Sequence, residues 1–299
     1  MKTNTLNSSE KKSEFKKDNS VTIIRNVVRI FLIIWAILII LPLGWTILTS
    51  LKSADEVSFE SAWSLPATLR WNNYAVAWTK ANFSLFFMNS VILSVGTVIL
   101  TLLMTTATAY VVSKFVHPVI KGIKWFFSLF MMVPQLLLLV PLYYMCDDLN
   151  LLSGGTVLVT LMITNALQGV PYYVFLLTPF MCGINNATLE AAEIDGASQF
   201  GIFIKIILPL AVPAIFMVGL LSFIGIWNEY IMSITFMGVD AKAYYTLSVG
   251  ITRLMNTSQY GREIQFSALV LAMVPIIVIY AFFQKPLQNG LSSGEGVKG

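Results

Sequence analysis

Charge is what this 299-residue sequence has least of: Asp, Glu, Lys and Arg make up 11% of it, against about 25% in a soluble domain. Hydrophobic residues fill 57% of the positions and the mean hydropathy is +0.76. An ordinary water-soluble globule is excluded, and a single integral membrane domain is expected. The chain also lacks the G-x-x-x-x-G-K-[ST] loop that cradles phosphates, so it is not expected to hydrolyse ATP itself. Histidine occurs once and cysteine twice. His117 has no partner at ligand spacing, so neither a metal nor another cofactor is expected. No nucleophile can be assembled with a base, which argues against an enzyme. An A-x-A cleavage site after the polar N-terminal tail is also missing, so no removable signal peptide is read.

Long apolar runs are abundant. A helix needs about 20 mostly apolar residues to cross a hydrocarbon core, and six stretches qualify: 30–49, 85–112, 125–145, 156–181, 206–227 and 264–283. Only helices or closed barrels satisfy the backbone in lipid, and runs this continuous are not barrel strands. The expectation is an all-α protein with six transmembrane helices. Residues 1–29 form a polar, basic tail, 30–284 the membrane domain and 285–299 a Gly-rich tail. With both termini in the cytoplasm, thirteen Lys and Arg fall inside and six outside, as the positive-inside rule favours. The net charge of +4 then reflects topology and an anionic lipid leaflet, and no nucleic-acid partner is implied. On this topology a bilayer separates Cys146 from Cys182, so no disulfide is expected.

One inner loop, about 183–209, departs from the apolar pattern. In "LEAAEIDGASQFGIFIKIILPLAVP", Thr188 reads as an N-cap, placing Glu190, Glu193 and Asp195 in the first turns of a short helix, where the dipole favours them. Gly196 can end that helix at positive φ, and Ser198 can cap a second. There Phe200, Phe203, Ile204 and Ile207 recur at helical spacing as one apolar face. Pro209 and Pro213 shape the entry to the fifth span.

Glu190-Ala191-Ala192, three residues, Gly196, nine residues, Ile206, one residue and Leu208-Pro209 together resemble the EAA motif of ABC-importer permeases, in the expected loop. Leu41-Pro42, Ser50-Leu51-Lys52, Asn73-Tyr74, Asn89-Ser90, Trp227-Asn228-Glu229-Tyr230 and the ending Gly290-Leu291 extend the likeness to the smaller permease of maltose-type carbohydrate importers. The resemblance implies a type I importer fold. It also implies an ATPase-coupling element carried by Glu190, Ala191, Ala192, Glu193, Asp195, Gly196 and Ala197, with Leu208 and Pro209 passing displacement to the fifth helix. A second permease, two copies of an ABC ATPase binding ATP and Mg, and an extracytoplasmic sugar-binding protein are the implied partners. The tail residues Gly294, Glu295, Val297 and Lys298 are similar to a segment that reaches the ATPases in relatives, although Ser292 to Gly296 is a residue longer and more acidic.

Polar groups within spans face partner helices or a water-filled cavity. Gln135, Asn165, Gln168, Asn228, Glu229 and Tyr230 are the candidates for a substrate pathway, since amides and aromatic rings suit sugar hydroxyls. Pro134 and Pro141, Pro171 and Pro179, and Pro275 favour kinks in the third, fourth and sixth spans. Trp63, Trp71, Tyr74 and Trp78 in the loop of about 53–84 suit the membrane interface. The alternatives are an ABC permease for another solute class and an ion-coupled secondary transporter. The latter is disfavoured by uncharged helix interiors and the lack of an internal repeat.

Overall fold

The computed structural model describes residues 6–238, 241–257 and 259–293. They are all helical or irregular, with no strand among them. The first helix, α1, runs from Leu6 to Ser50, continuing the first span back through the polar tail. Short helices α2 (Ala54–Phe59) and α3 (Asn72–Thr79) lead to α4 (Phe83–Lys114). Then come α5 (Pro118–Met132), α6 (Gln135–Asp148), α7 (Thr156–Cys182) and α8 (Asn186–Ile194). A single turn, α9 (Gln199–Ile202), passes through a π-helical turn (Phe203–Ile207) into α10 (Leu208–Trp227). Helices α11 (Ile231–Met237), α12 (Leu247–Met255) and α13 (Arg262–Ser293) complete the chain.

Among the described residues five helices are long and apolar enough to span a membrane, and a sixth span is made there only by pairing α5 with α6 across a 98° bend. The third span is therefore broken where an unbroken one was expected. Pro134 explains the break. It denies the next turn a donor and holds Val133 extended (φ −79°, ψ 120°), the conformation favoured before proline. Pro141, Pro171 and Pro179 lie within helices that continue through them, as does Pro275 within α13. Neighbouring helices re-satisfy a freed carbonyl in such settings.

Helix α4 is the hub, with α7 and α10 packed along it. A Cβ on Gly96 would sit 2.6 Å from the Met162 sulfur, so the flexible Met162 side chain of α7 packs into the space that glycine leaves on α4. Asn89 and Ser90 at the start of α4 hold the approach to α12. The Asn89 amide donates to the carbonyls of Ala243 and Tyr245 (3.0 Å each), and Ser90 Oγ accepts from the Leu247 N–H (2.7 Å). Asn73 similarly donates to the Ser50 and Lys52 carbonyls at 2.8 and 2.9 Å, and the Tyr74 and Ser50 hydroxyls meet at 2.6 Å. The short polar pairs of the sequence thus brace backbone at helix ends, where buried carbonyls and amides need partners. By contrast, the apolar window of α1 buries nothing against the rest of the chain.

Candidate functional site

The acidic loop folds as a helix, a tight turn and a second helical entry. Its first helix starts earlier than the sequence suggests. Asn185, not Thr188, is the N-cap, accepting from the Ala187 N–H at 2.9 Å. A second side chain explains the shift: Lys114, ending α4, donates to the Ile184 carbonyl (2.8 Å) and to Asn186 Oδ1 (2.9 Å). As a result Glu190 and Glu193 lie in the middle and last turns of α8 and Asp195 is its C-cap, where the dipole disfavours negative charge. The expectation of first-turn carboxylates is corrected.

Gly196 ends α8 at φ +79°. Its N–H bonds to the Glu193 carbonyl (3.0 Å) and the Ala197 N–H to the Ala192 carbonyl (2.9 Å). That pair of bonds is the Schellman closure, which needs a left-handed residue. Ser198 then caps α9 as expected, accepting from the Gly201 N–H at 3.1 Å. The apolar face expected from Phe200, Phe203, Ile204 and Ile207 does not form: Phe200 and Ile204 are exposed, while Ile202 and Ile207 are buried. Burial at a five-residue interval is what the π turn imposes.

Glu190, Ala191, Glu193, Asp195, Gly196 and Ala197 are exposed, whereas Leu189 is buried and Ala192 partly so. Leu189 enters a core with Tyr110 of α4, Leu177 and Met181 of α7, and Ile202, Ile207 and Ala211, an anchor worth about 1.5–3 kcal/mol. Leu208 is half-buried and Pro209 is exposed, and Pro209 follows directly on the π turn, whose last bond runs from the Leu208 N–H to the Phe203 carbonyl. A polar relay adds a second tie to α4. The Tyr110 hydroxyl donates to Gln199 Oε1 (2.8 Å), and Gln199 Nε2 donates to Glu193 Oε1 (2.5 Å). The Tyr110 ring also stacks on Phe203 at 5.1 Å. Exposed acids on one side, and on the other hydrogen bonds to Lys114 of α4 and Gln199 of α9 with apolar packing on α4, α7 and α10, make α8 a surface element braced on the bundle.

A second feature lies within the bundle. Gln135, Asn165, Gln168, Asn228, Glu229 and Tyr230 all line one cavity of about 660 Å³, with Tyr173 and Ser222. The structure therefore brings the six polar candidates together. Their partners differ. Asn165 and Asn228 each donate to a carbonyl one turn back (2.8 Å). Glu229 is turned to the backbone, where it caps α11 by accepting from the Met232 N–H (2.6 Å), the Ser233 N–H (2.9 Å) and the Ser233 hydroxyl (2.5 Å). The Gln168 side-chain nitrogen is buried and has no partner. It also borders an apolar cavity of about 670 Å³ between α5–α6 and α7. The cavity offers amide, hydroxyl and aromatic groups, no cation, and one carboxylate already engaged.

Elsewhere, His117 is exposed and caps α5, its Nδ1 accepting from the Val119 N–H at 3.3 Å. Cys146 and Cys182 are free thiols. No cluster of metal-ligating side chains occurs among the described residues. Gly294, Glu295, Val297 and Lys298 lie outside the described residues.

A bundle of apolar helices around a polar cavity, bearing an exposed acidic helix braced on the hub, defines a polytopic transport subunit. Residues 114–293 match the model of the binding-protein-dependent transport system inner membrane component family, and the chain belongs to that family. It is similar to the diacetylchitobiose uptake system permease protein NgcG of Streptomyces coelicolor, at 31% identity over 88% of this chain and 86% of that one. It is also similar to the melibiose/raffinose/stachyose import permease protein MelC of Bacillus subtilis, at 30% identity over 87% and 91% of the two chains. A solved bacterial ABC transporter involved in import of the acidic polysaccharide alginate shares the fold, with a TM-score of 0.76 and 22% identity, covering 89% of this chain and 97% of that chain. A second, determined in complex with an alginate pentasaccharide-bound periplasmic protein, aligns with a TM-score of 0.65 at 16% identity over 91% and 97% of the two chains. The chain is an inner-membrane permease subunit rather than an enzyme.

Proposed function

We propose that this permease imports a sugar or oligosaccharide across the cytoplasmic membrane by alternating access, driven by separate ATPase subunits that dock on α8. The observation that carries the reading is the Schellman-closed acidic helix, exposed along Glu190, Ala191 and Glu193 yet tied to α4 by Lys114 and Gln199. Both termini and α8 face the cytoplasm in this reading, in keeping with the distribution of Lys and Arg. Two copies of the ATPase bind ATP and Mg, a second homologous permease completes the pathway, and an extracytoplasmic binding protein delivers the solute. The coupling residues are Glu190, Ala191, Ala192, Glu193, Asp195, Gly196 and Ala197, with Leu208 and Pro209 as the link to α10. When the ATPases close, α8 is displaced and carries the end of α4 with it.

The cargo class rests on the relatives, several of which are named for oligosaccharide uptake, and on cavity chemistry. Unpaired Gln168, exposed Gln135 and the Tyr173 and Tyr230 rings suit hydroxyl groups, and the engaged Glu229 leaves no free carboxylate to carry a coupling proton or sodium ion. The test is uptake of labelled oligosaccharides into cells whose ATP is depleted while the ion gradients are kept. Uptake is expected to stop, and sustained uptake contradicts the proposal.

A further inference from the structure

Three of the six Lys and Arg on the outer side of the proposed topology meet in one cleft. Lys80, Lys242 and Arg253 come from separate segments, yet all line a cavity of about 460 Å³ beside the first turn of α4, and no carboxylate occurs among the described residues of its wall. All three are exposed.

The wall is built by hydrogen bonds that involve none of these charged heads. Asn89 holds the segment of Lys242 through the carbonyls of Ala243 and Tyr245. The Gln265 amide donates to the carbonyls of Leu254 (3.2 Å), Thr257 (3.3 Å) and Tyr260 (3.2 Å), which closes the loop following Arg253. The Tyr260 hydroxyl donates to the Lys80 carbonyl at 2.5 Å and joins that loop to the third segment. Gathering like charges on a fixed wall costs the free chain stability through their repulsion, so its own folding does not account for them. A concave wall of one sign instead focuses its field outward and speeds the arrival of an opposite charge by about tenfold to a thousandfold.

Location selects the partner. Helix α4 has 32 residues, about 48 Å of rise. The cleft lies at its N-terminal end and Lys114, which braces α8, at its C-terminal end, so the cleft and α8 open on opposite faces of the membrane. The leaflet whose anionic lipids hold basic segments is the cytoplasmic one, on the side of α8 in the topology proposed above. On the outer face a carboxylate-bearing protein surface is the better match. We propose that this cleft seats an acidic surface of the extracytoplasmic binding protein, attracted by Lys80, Lys242 and Arg253. The proposal rests on the reading of the chain as an importer served by such a protein, and it places the two docking events at the two ends of one helix.

The test is ATP hydrolysis by the complete importer in lipid nanodiscs, titrated with the solute-loaded binding protein that stimulates it. Lys80→Gln, Lys242→Gln and Arg253→Gln combined are expected to raise the half-saturating concentration about threefold to a hundredfold, the worth of three exposed charge pairs, with a smaller effect on the maximal rate. Added salt should weaken the wild type more steeply than this variant. The charge-retaining set Lys80→Arg, Lys242→Arg and Arg253→Lys should stay within about twofold of wild type, because exposed sites tolerate such changes. An unchanged half-saturating concentration in the neutral variant, or an equal loss in the charge-retaining one, overturns the cleft while leaving the importer reading intact. A loss that disappears in nanodiscs of purely zwitterionic lipid assigns the cations to lipid headgroups and overturns it as well. If no binding protein stimulates the wild type, the importer reading fails and this inference fails with it.

Discussion

Replacing Gly196 separates two ways in which the α8 turn could matter. Its φ of +79° lies where an L-residue costs about 1–2 kcal/mol, and a Cβ added there meets nothing within 4 Å of this chain. The intramolecular penalty is thus conformational, not steric. Since 1.4 kcal/mol is tenfold in an equilibrium, Gly196→Ala should lower the equilibrium constant for closing the turn about fivefold to thirtyfold. Asn, which tolerates the left-handed region, should lose less, and β-branched Val more. The assay is the affinity of the purified permease for its ATPase, with solute uptake measured in parallel. The expected order is Gly, Asn, Ala, Val in both, with insertion into the membrane unchanged. Equal losses for Asn, Ala and Val would refute turn strain as the cause and point to side-chain exclusion by the docked partner, while normal affinity in Val would refute any role for the turn.

Three further outcomes are expected. Gln199→Leu removes both hydrogen bonds of the Tyr110–Gln199–Glu193 relay, each worth about 0.5–1.5 kcal/mol, so ATP hydrolysed per solute imported should rise while ATPase binding persists; an unchanged ratio removes the relay from the coupling path. Gln168→Leu deletes the unpaired amide of the polar cavity and should raise the KM for uptake about twofold to tenfold with a smaller effect on maximal rate, as loss of one hydrogen bond to substrate would; an unchanged KM in radiolabelled uptake assigns Gln168 to packing. The Glu56 carboxyl is held below its ordinary range by the backbone N–H groups of Ser53 and Ala67, then the Ser53 hydroxyl and the nearby Lys52 charge, against opposition from burial. Because the folded form is the stronger acid, its support of α2 is complete above the unfolded carboxylate pKa and is lost as pH falls through the folded one; a fluorophore at Ser58→Cys should report that acid transition, and Glu56→Gln should abolish it.

The spans were legible because lipid demands long apolar runs, and five of the six stretches lie on single long helices among the described residues. The broken third span was not, since Pro134 and Pro141 look alike in sequence and only one coincides with a change of helix direction. Gly196 and Ser198 were legible because a left-handed turn and an N-cap each select few residue types. The start of α8 was not, because Lys114, 72 residues from Asn186, fixes it, and no local rule sees that far. The register of 199–207 was misread for a related reason. A 3.6-residue period assumes an α-helix, and the π turn inserts an extra residue between buried positions. The polar residues of the spans were correctly singled out as a group, since each is costly in lipid. Their individual bonding was hidden, most plainly for Glu229, whose carboxylate closes on the next helix.

The central claim is that α8 is where an ATPase docks. It is tested most directly by purifying the chain from its native membrane in mild detergent, as wild type and as Gly196→Arg, and identifying what accompanies each. An ATPase and a second permease are expected with the wild type, and the second permease without the ATPase in the variant. If neither accompanies the wild type under conditions that keep other membrane complexes intact, or if the ATPase stays with Gly196→Arg at full occupancy, docking through α8 is contradicted.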